Sequence, residues 1–428
     1  MNKKLLKSTL ALSVTFVSTQ LFAGGFALNE QSVSSMGTGF AGRSSSADDA
    51  STVYGNPAGM SRLKHNEVSF GATYLDAKST IKDASSTQFG ADNPGTNKGD
   101  MVPGIGVPFG YLVTPIDEHW AFGLGVYAPF GLVTDYEHSF QGNGFGNKSK
   151  VQVITVQPTV SYAFNDKISA GFGPTFNRIS GELGSKVPAF GLGTENVKIK
   201  GDDTATGFNA GLLVQALAST RLGVTYHSQV VYHLSGDTSA SGFLTDLVDG
   251  GPQRYDAKLN ITTPSSVDFS VTHQLNDDWT LYAGSTYTRW SQLKKITVNN
   301  AGVSDAAIAL AGLNAITEEQ HWHDTWSHAI GASYRVNQQL VLRTGFSVDE
   351  TPTNNTDRSV RIPTGDRTVF SLGAGWTPVD NLTLDVAYSY LKEEPIKVRD
   401  KQPALGLTYD AKYENSANGF GGSVTYRF

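Results

Sequence analysis

The chain contains no cysteine, which excludes a disulfide framework and thiolate chemistry. It lacks a long apolar run as well: Leu5–Val17 is the sustained stretch, too short to hold a helix across a bilayer. Basic charge is scarce, with 33 Lys and Arg against 39 Asp and Glu and a formal net charge of −6. Nucleic acid is therefore not an expected partner, since its backbone calls for a basic face. No G-x-S-x-G nucleophile elbow occurs, so the usual esterase signal is missing. Apolar residues make up only 39% of the chain and mean hydropathy is −0.23. A membrane protein made of helices would exceed both values, but a β-barrel need not, because only alternate strand residues meet lipid.

What the chain has instead is a rhythm. After residue 65, about fourteen strand-like segments are joined alternately by short polar turns and long Gly/Asn/Asp/Ser-rich loops, the pattern of an even-stranded outer-membrane barrel. The short joints are Thr114–Glu118, Asn165–Lys167, Ser219–Thr220, Asn276–Asp278, Asn337–Gln339 and Pro378–Asn381. The long loops are expected near 82–100, 131–147, 184–200, 236–253, 297–316, 350–365 and 398–408. Period-two alternation supports the strands. Leu382, Leu384, Val386, Tyr388 and Tyr390 share one face, opposite Thr383, Asp385, Ala387 and Ser389. Leu222, Val224, Tyr226, Val230 and Tyr232 are expected on another lipid face, with Arg221, Thr225, His227 and Gln229 inward. The last strand ends on an alternating aromatic, Phe428, which resembles the C-terminal assembly signal of bacterial outer-membrane proteins. The expected architecture is all-β, a fourteen-stranded antiparallel barrel over residues 65–428.

Two segments depart from this rhythm. Residues 1–23 read as a secretory leader: Lys3, Lys4 and Lys7, the apolar stretch, then Ala23 at the expected cleavage point. Residues 24–64 are small, polar and glycine-rich, with spaced anchors Phe26, Leu28, Met36, Phe40 and Tyr54. They are expected to form an ordered plug in the lumen, with Ala47–Ala50 opening a short helix. Within the barrel, the strand through Trp120, Phe122, Leu124 and Val126 has Gly123 and Gly125 on its other face and runs into Pro129-Phe130-Gly131. Proline cannot donate to a ladder and glycine tolerates a bend, so the strand either ends at Pro129 or kinks and opens the wall.

Three motifs in this order resemble the FadL family of outer-membrane long-chain fatty-acid transporters. They are Gly25–Glu30 (GFALNE) with Ala47–Ala50 and Asn56-Pro57-Ala58; then Tyr287–Gln292 (YTRWSQ); then Asp349–Pro352 and the basic run from Arg358 to Arg367. The resemblance spans essentially the whole chain. It implies a barrel closed by an N-terminal hatch at 24–64 and ligand capture by extracellular loops. It further implies a pocket above the hatch and release through a lateral opening at a kink of the third strand. Carried onto this chain, Tyr127, Pro129, Phe130 and Gly131 mark the kink. Phe26, Leu28 and Asn29 would face the pocket, and Asn56, Pro57 and Ala58 would pack the hatch to the wall. No cofactor is implied. Partners would be long-chain fatty acids or other hydrophobic small molecules, with outer-membrane lipid and lipopolysaccharide around a single copy of the chain.

A fatty acid needs a dry concave surface for its tail and a cation for its carboxylate. Candidate cations are Arg178, Lys294, Lys295, Arg358 and Arg361, the family's being inward groups on the fifth and ninth strands. Arg178 shares the parity of Phe172 and Phe176, so it needs a bulge near Pro174 to reach the lumen. Arg221, Arg335 and Arg343 also have inward parity and are expected to pair with acids such as Asp385. Loop capture calls for exposed apolar groups, and Phe190, Leu192, Phe243 and Leu244 lie in two apolar islands of the long loops. The run Gly142–Ser149 imitates a phosphate loop but has Asn147 where glycine is required. His321, His323, Asp324 and His328 form the one metal-like cluster, and interfacial aromatics beside Trp326 explain it better; no metal is expected. Alternatives to fatty-acid uptake are a channel for neutral aromatic hydrocarbons, a surface-lipid enzyme, and an adhesion or phage-docking barrel.

Overall fold

The computed structural model describes residues 25–189 and 193–428; the expected leader, Phe190 and Leu192 lie outside them. Among the described residues, fourteen antiparallel strands close into a ring. We number them β1 (Glu67–Gln88), β2 (Ile105–Pro115), β3 (Trp120–Asp135), β4 (Lys148–Ala163), β5 (Ile168–Pro188), β6 (Thr194–Leu217) and β7 (Thr220–His227). The circuit continues with β8 (Ser266–Gln274), β9 (Trp279–Thr288), β10 (Thr325–Arg335), β11 (Leu340–Asp349), β12 (Arg367–Val379), β13 (Leu382–Glu393) and β14 (Leu407–Arg427). Closure is made by β1 against β14, from Glu67↔Arg427 to Gln88↔Leu407. A closed ring leaves no edge with unpaired backbone groups in lipid, which is the condition for crossing a membrane with strands.

Four of the six short joints are Asx turns. Asn165, Asn276 and Asn337 each accept, through Oδ1, the backbone N–H groups two and three residues on, and Asp117 does the same. A side-chain acceptor that mimics the next carbonyl is what lets so few residues reverse the chain. The long loops are shorter than expected. β5 and β6 stay paired through Pro188↔Thr194, across the segment expected as a loop. The hairpin of Val230–Gly242 and Gln253–Thr263 likewise fills much of 236–253. Outward side chains turn polar there, so a hydropathy reading ends the strand where lipid ends, while the ladder continues into water.

One expected lipid face is overturned. Leu222 is 42% exposed on the outside, but Val230 and Tyr232 are buried in the lumen at 6% and 0%. Parity flips at Ser228-Gln229 and, on the partner strand, at Pro264-Ser265; the register between the two strands is nevertheless unchanged from Ser266↔His227 to Thr263↔Val230. Both strands carry the irregularity side by side, so the hairpin rotates as a unit. Proline inside a strand was its one visible signal.

Residues 25–64 pack inside the ring as short turns: Val33–Gly37, capped by Ser32, then Thr52–Gly55 and a 3-10 turn at Pro57–Arg62. Ala47–Ala50 do not themselves form helix; Asp49 Oδ1 instead accepts the Ser51 N–H at the start of Thr52–Gly55. Inward wall glycines make the seats. A Cβ at Gly345 would lie 2.0 Å from the Thr38 carbonyl carbon, at Gly223 1.8 Å from Ser44 O, and at Gly171 2.3 Å from the Pro57 carbonyl carbon. Gly123, read above as a bend signal, makes room for Met60 and Val53. Asn56 Nδ2 donates to Leu212 O of the wall, and Ala58 O accepts the hydroxyls of Ser161 and Ser169. The Asn-Pro-Ala motif is thus a joint between the N-terminal segment and β4, β5 and β6.

Candidate functional site: an apolar lumen pocket and a break in the wall

The parity flip has a chemical result. Below it the hairpin turns Leu222 and Phe269 to lipid; above it the same hairpin turns Tyr232, Leu234 and Ile261 inward. Opposite stand Val151, Ile179 and Leu183 of β4 and β5, with Ile296 and Val298 from the strand Lys295–Ala301. Apart from Tyr232, these residues line a chamber of about 50 Å³, whose wall also includes Lys150, Lys200 and Lys258. It shares Leu183, Ile199, Ile296 and Val298 with a wider cavity of about 510 Å³ at the loop end. Leu244, one of the expected capture residues, lines that mouth; Phe243 is half-buried beside it.

Aromatic rings pack in the same lumen cluster as Ile179, Leu234 and Ile261. Phe26 meets Trp290 edge-on at 5.0 Å, Phe130 at 5.7 Å and Trp322 at 6.1 Å. Gly25, with φ of +71°, passes so close to both indoles that a Cβ would overlap them. Sequence reading put Phe26 at the pocket but missed Trp290, Trp322, Tyr232 and Ile179. Trp290 lies inside the quoted YTRWSQ run, and nothing in the local pattern shows that the chain leaves the wall there.

Beside Phe26 the wall breaks. β3 pairs with β2 only up to Gly110↔Val126, then stays with β4 alone after an irregularity between Tyr127 and Phe130. Ile105–Phe109 of β2 keep their partners on β1 but have none on β3. The N-terminal segment supplies the missing partner: Leu28 N–H donates to Pro129 O at 2.9 Å and Gly131 N–H to Phe26 O at 3.0 Å, around an Ala27↔Phe130 bridge. Gln31 Nε2 donates to the freed Ala128 carbonyl at 2.6 Å. Leu28 then packs with Leu75, Val107 and Ala128 where the three strands part. Backbone groups released by the kink are thereby satisfied, as buried polar groups must be. Asn29 lies just inside, its Oδ1 accepting Arg43 Nη2.

The expected carboxylate ligands fare differently. Arg178 stays on the outer face: the pairing of Val160↔Phe172 through Ile154↔Arg178 runs in one register with no bulge at Pro174, and its partner is Asp202 at 3.5 Å. Lys294 and Lys295 are exposed, while Leu293 and Ile296 before and after them turn inward. Arg358 is buried but braces its own loop, donating to Thr353 Oγ1 and Asn355 Oδ1. Arg361 alone lines the mouth. Its Nε lies 3.0 Å from Glu318 Oε2, and Nη1 donates to Lys148 O and Gly184 O. The inward positions of β5 (Thr175, Asn177, Ile179, Gly181) and β9 (Thr280, Tyr282, Gly284, Thr286) hold no cation. Of the other arginines, Arg343 pairs with Asp385 at 2.6 Å, whereas Arg335 is exposed at a turn. The histidines part company: His321 contacts Asp357, and His328 stacks outward on Trp326.

The loop 350–366 closes the top, with Val360 and Ile362 inserted into the lumen core. Asp400, on the strand Ile396–Gln402 beside the mouth, accepts the Val360 N–H at 3.0 Å. Burial, with Glu318 adding to it, pushes the Asp400 carboxyl up to about 7 from its ordinary 3.8, against the pull of Val360 N–H and Arg361. A raised acid pKa makes the docked state the better proton binder, so this stabilisation is full below the ordinary value and is lost as pH rises through about 7. Above that pH a second negative charge joins Glu318 beside Arg361. Binding of an alkyl sulfate, whose headgroup does not titrate, is expected to weaken roughly threefold to tenfold between pH 6 and 8.5. Asp400→Asn should flatten that profile in a fluorescence titration; a slope unchanged in the variant would remove Asp400 as its source.

Comparison with known proteins agrees with this geometry. Residues 14–428 match the family described as outer membrane protein transport protein (OMPP1/FadL/TodX). Outer membrane protein P1 of Haemophilus influenzae is 28% identical, with 100% of each chain covered. A long-chain fatty acid transport protein of Escherichia coli is 27% identical over 99% of this chain and 98% of its own. Among solved structures, a Pseudomonas aeruginosa FadL homologue superposes with a TM-score of 0.85 at 25% identity, covering 94% of this chain and 100% of that one. The toluene transporter of Ralstonia pickettii shares the fold, with a TM-score of 0.68 at 20% identity, covering 92% of this chain and 97% of that one. The chain therefore belongs to the OMPP1/FadL/TodX family of transporters for hydrophobic compounds, a β-barrel of the Gram-negative outer membrane.

Proposed function

We propose that this barrel is a passive channel for long-chain fatty acids, with residues 24–64 as its hatch. One observation carries the reading. Apolar side chains line the mouth (Leu244, Val298) and the chamber (Ile179, Leu234, Ile261), and the latter pack in one cluster with Phe26, which meets β3 where it leaves β2. An acyl chain gains about 0.8 kcal/mol for each CH₂ it buries, so a graded apolar path needs no energy source. Loops carrying Phe243 and Leu244 capture the ligand, together with the island of Phe190 and Leu192. The tail enters the chamber, and displacement of Phe26 and Leu28 lets it leave sideways past Tyr127, Pro129, Phe130 and Gly131. The carboxylate stays at the mouth, where it competes with Glu318 for Arg361. The name of the E. coli relative supports this substrate class.

A second reading, transport of neutral hydrocarbons, is favoured by one fact: no cation reaches the chamber from β5 or β9. Equilibrium binding of oleate to the purified protein, with methyl oleate and toluene as competitors, separates the two. Arg361→Gln is expected to weaken oleate about tenfold, the worth of one charge-assisted contact, and to leave methyl oleate unchanged. Equal loss of both ligands, or full displacement by toluene, would move the assignment to neutral hydrocarbons.

A further inference from the structure

The wall strands that line the chamber carry a different chemistry on their outer face. On β5 the inward residues are Ile179, Gly181 and Leu183; the outward ones are Arg178, Ser180, Glu182, Gly184 and Lys186. Register places Lys150 of β4 and Lys200 of β6 on either side of Glu182, and Lys148 and Lys198 on either side of Gly184. The four lysines thus stand at the corners of a patch roughly 7 Å by 10 Å, two residues along the strands and two strand spacings across. Three of them converge on one carboxylate: Lys198 lies 3.1 Å from Glu182 Oε1, Lys148 3.8 Å from the same atom, and Lys200 3.8 Å from Oε2. Among the described residues one other acid pairs with the four, Asp135 at 3.2 Å from Lys148. Lys186 adds a fifth cation up the central strand; over Gly184 lies the Asn147 amide, whose Oδ1 is 2.6 Å from where a Cβ would be. A single Glu holds the ammonium groups together without neutralising them. Lys198 and Lys200 remain half exposed.

Height decides what such a patch meets. The outward aromatics Phe172 and Phe208, at 48% and 38% exposure, mark the lipid-facing band on these same strands. The lysine patch stands above that band on the loop side, ten to twelve residues beyond Phe172 along β5, facing away from the lumen. We propose that it docks the phosphorylated headgroup of lipopolysaccharide, with the phosphate held by the outward ammonium groups of Lys148, Lys150, Lys198 and Lys200. Clustered lysines at a membrane surface recognise anionic headgroups by charge. Lys150 and Lys200 also stand in the chamber wall, but their ammonium-bearing face is the outer one, and the proposal does not depend on the fatty-acid reading.

The test is a titration of the purified full-length protein in mild detergent with lipopolysaccharide, and in parallel with the same lipopolysaccharide stripped of its lipid A phosphates. The variant Lys148→Gln/Lys186→Gln/Lys198→Gln, which spares the chamber wall, should bind the phosphorylated form roughly a hundredfold more weakly. It should bind oleate as the parent does, which keeps failure here distinct from failure of the transport proposal. Glu182→Gln keeps every lysine and removes the competing carboxylate, so it should bind more tightly. Parental affinity in the triple variant, or equal binding of the dephosphorylated form, overturns the proposal in favour of contact with acyl chains alone. Full displacement by millimolar inorganic phosphate overturns the lipid as occupant. If the triple variant does not assemble, judged by heat-modifiable gel mobility, Glu182→Gln decides alone: unchanged or weaker binding defeats the site.

Discussion

Replacing Gly345 and Gly223 together by valine should leave the barrel wall assembled and turn a closed lumen into an open pore. Both glycines face inward on wall strands, where their ladder bonds are made by backbone that a side chain does not alter. A Cβ at Gly345 would sit 2.0 to 2.2 Å from backbone atoms of Thr38 and Gly39, and one at Gly223 1.8 Å from Ser44 O. No rotamer change relieves a clash with backbone, and overpacking of this kind costs about 1–3 kcal/mol per site, more where nothing can yield. The wall, held by a closed ring of hydrogen bonds, is the stiffer partner; the N-terminal segment, made of short turns, is the one displaced. Gly422 is the control, because a Cβ there meets nothing within 4 Å. Planar-bilayer recordings should show persistent current for the double variant and a closed barrel for Gly422→Val. A double variant that stays closed would mean that the segment re-seats around the new side chains, and that the glycine seats do not decide occupancy of the lumen.

Locking the N-terminal segment to the kinked strand should abolish transport while sparing binding. Ala27 and Phe130 face each other across an antiparallel bridge, flanked by the Leu28-to-Pro129 and Gly131-to-Phe26 hydrogen bonds. The chain has no cysteine of its own, so Ala27→Cys/Phe130→Cys introduces a single pair. When it is oxidised, Leu28 cannot leave its contacts with Leu75, Val107 and Ala128, and the unpaired margin between β2 and β3 stays filled. Uptake of labelled oleate by cells should fall at least about tenfold if opening of this segment gates release, and return on reduction. Saturable binding to the purified protein should persist in both states, because the chamber lies above the lock. Full uptake in the oxidised form would place the exit elsewhere in the wall.

Much of the architecture is legible in the chain because a barrel writes itself in local terms. Alternation in Leu382–Tyr390 fixes which side chains meet lipid, and the Asn and Asp residues at the short joints supply the turn acceptors. Pro129 marks the kink because proline cannot donate to a neighbouring strand. The site was less legible. Arg178 is outward because no irregularity occurs at Pro174, whereas Val230 and Tyr232 are inward because both paired strands flip parity side by side at Ser228-Gln229 and Pro264-Ser265 with their register kept, and that coupling lies in the paired neighbour. Gly345, Gly223 and Gly171 serve as seats for residues far away in sequence, so their role is invisible until the segment is in place.

By itself, the sequence determined the strand number, the positions of the turns, the existence of a special N-terminal segment and the place of the break in β3, since each rests on periodicity or on the covalent limits of proline and glycine. Tertiary structure alone decided which residues line the chamber, that Trp290 and Trp322 pack on Phe26, that Leu28 and Gln31 fill the break, and that Arg361 alone of the candidate cations reaches the mouth. Those outcomes depend on register between strands and on what the lumen encloses, and neither is a property of any one stretch of chain.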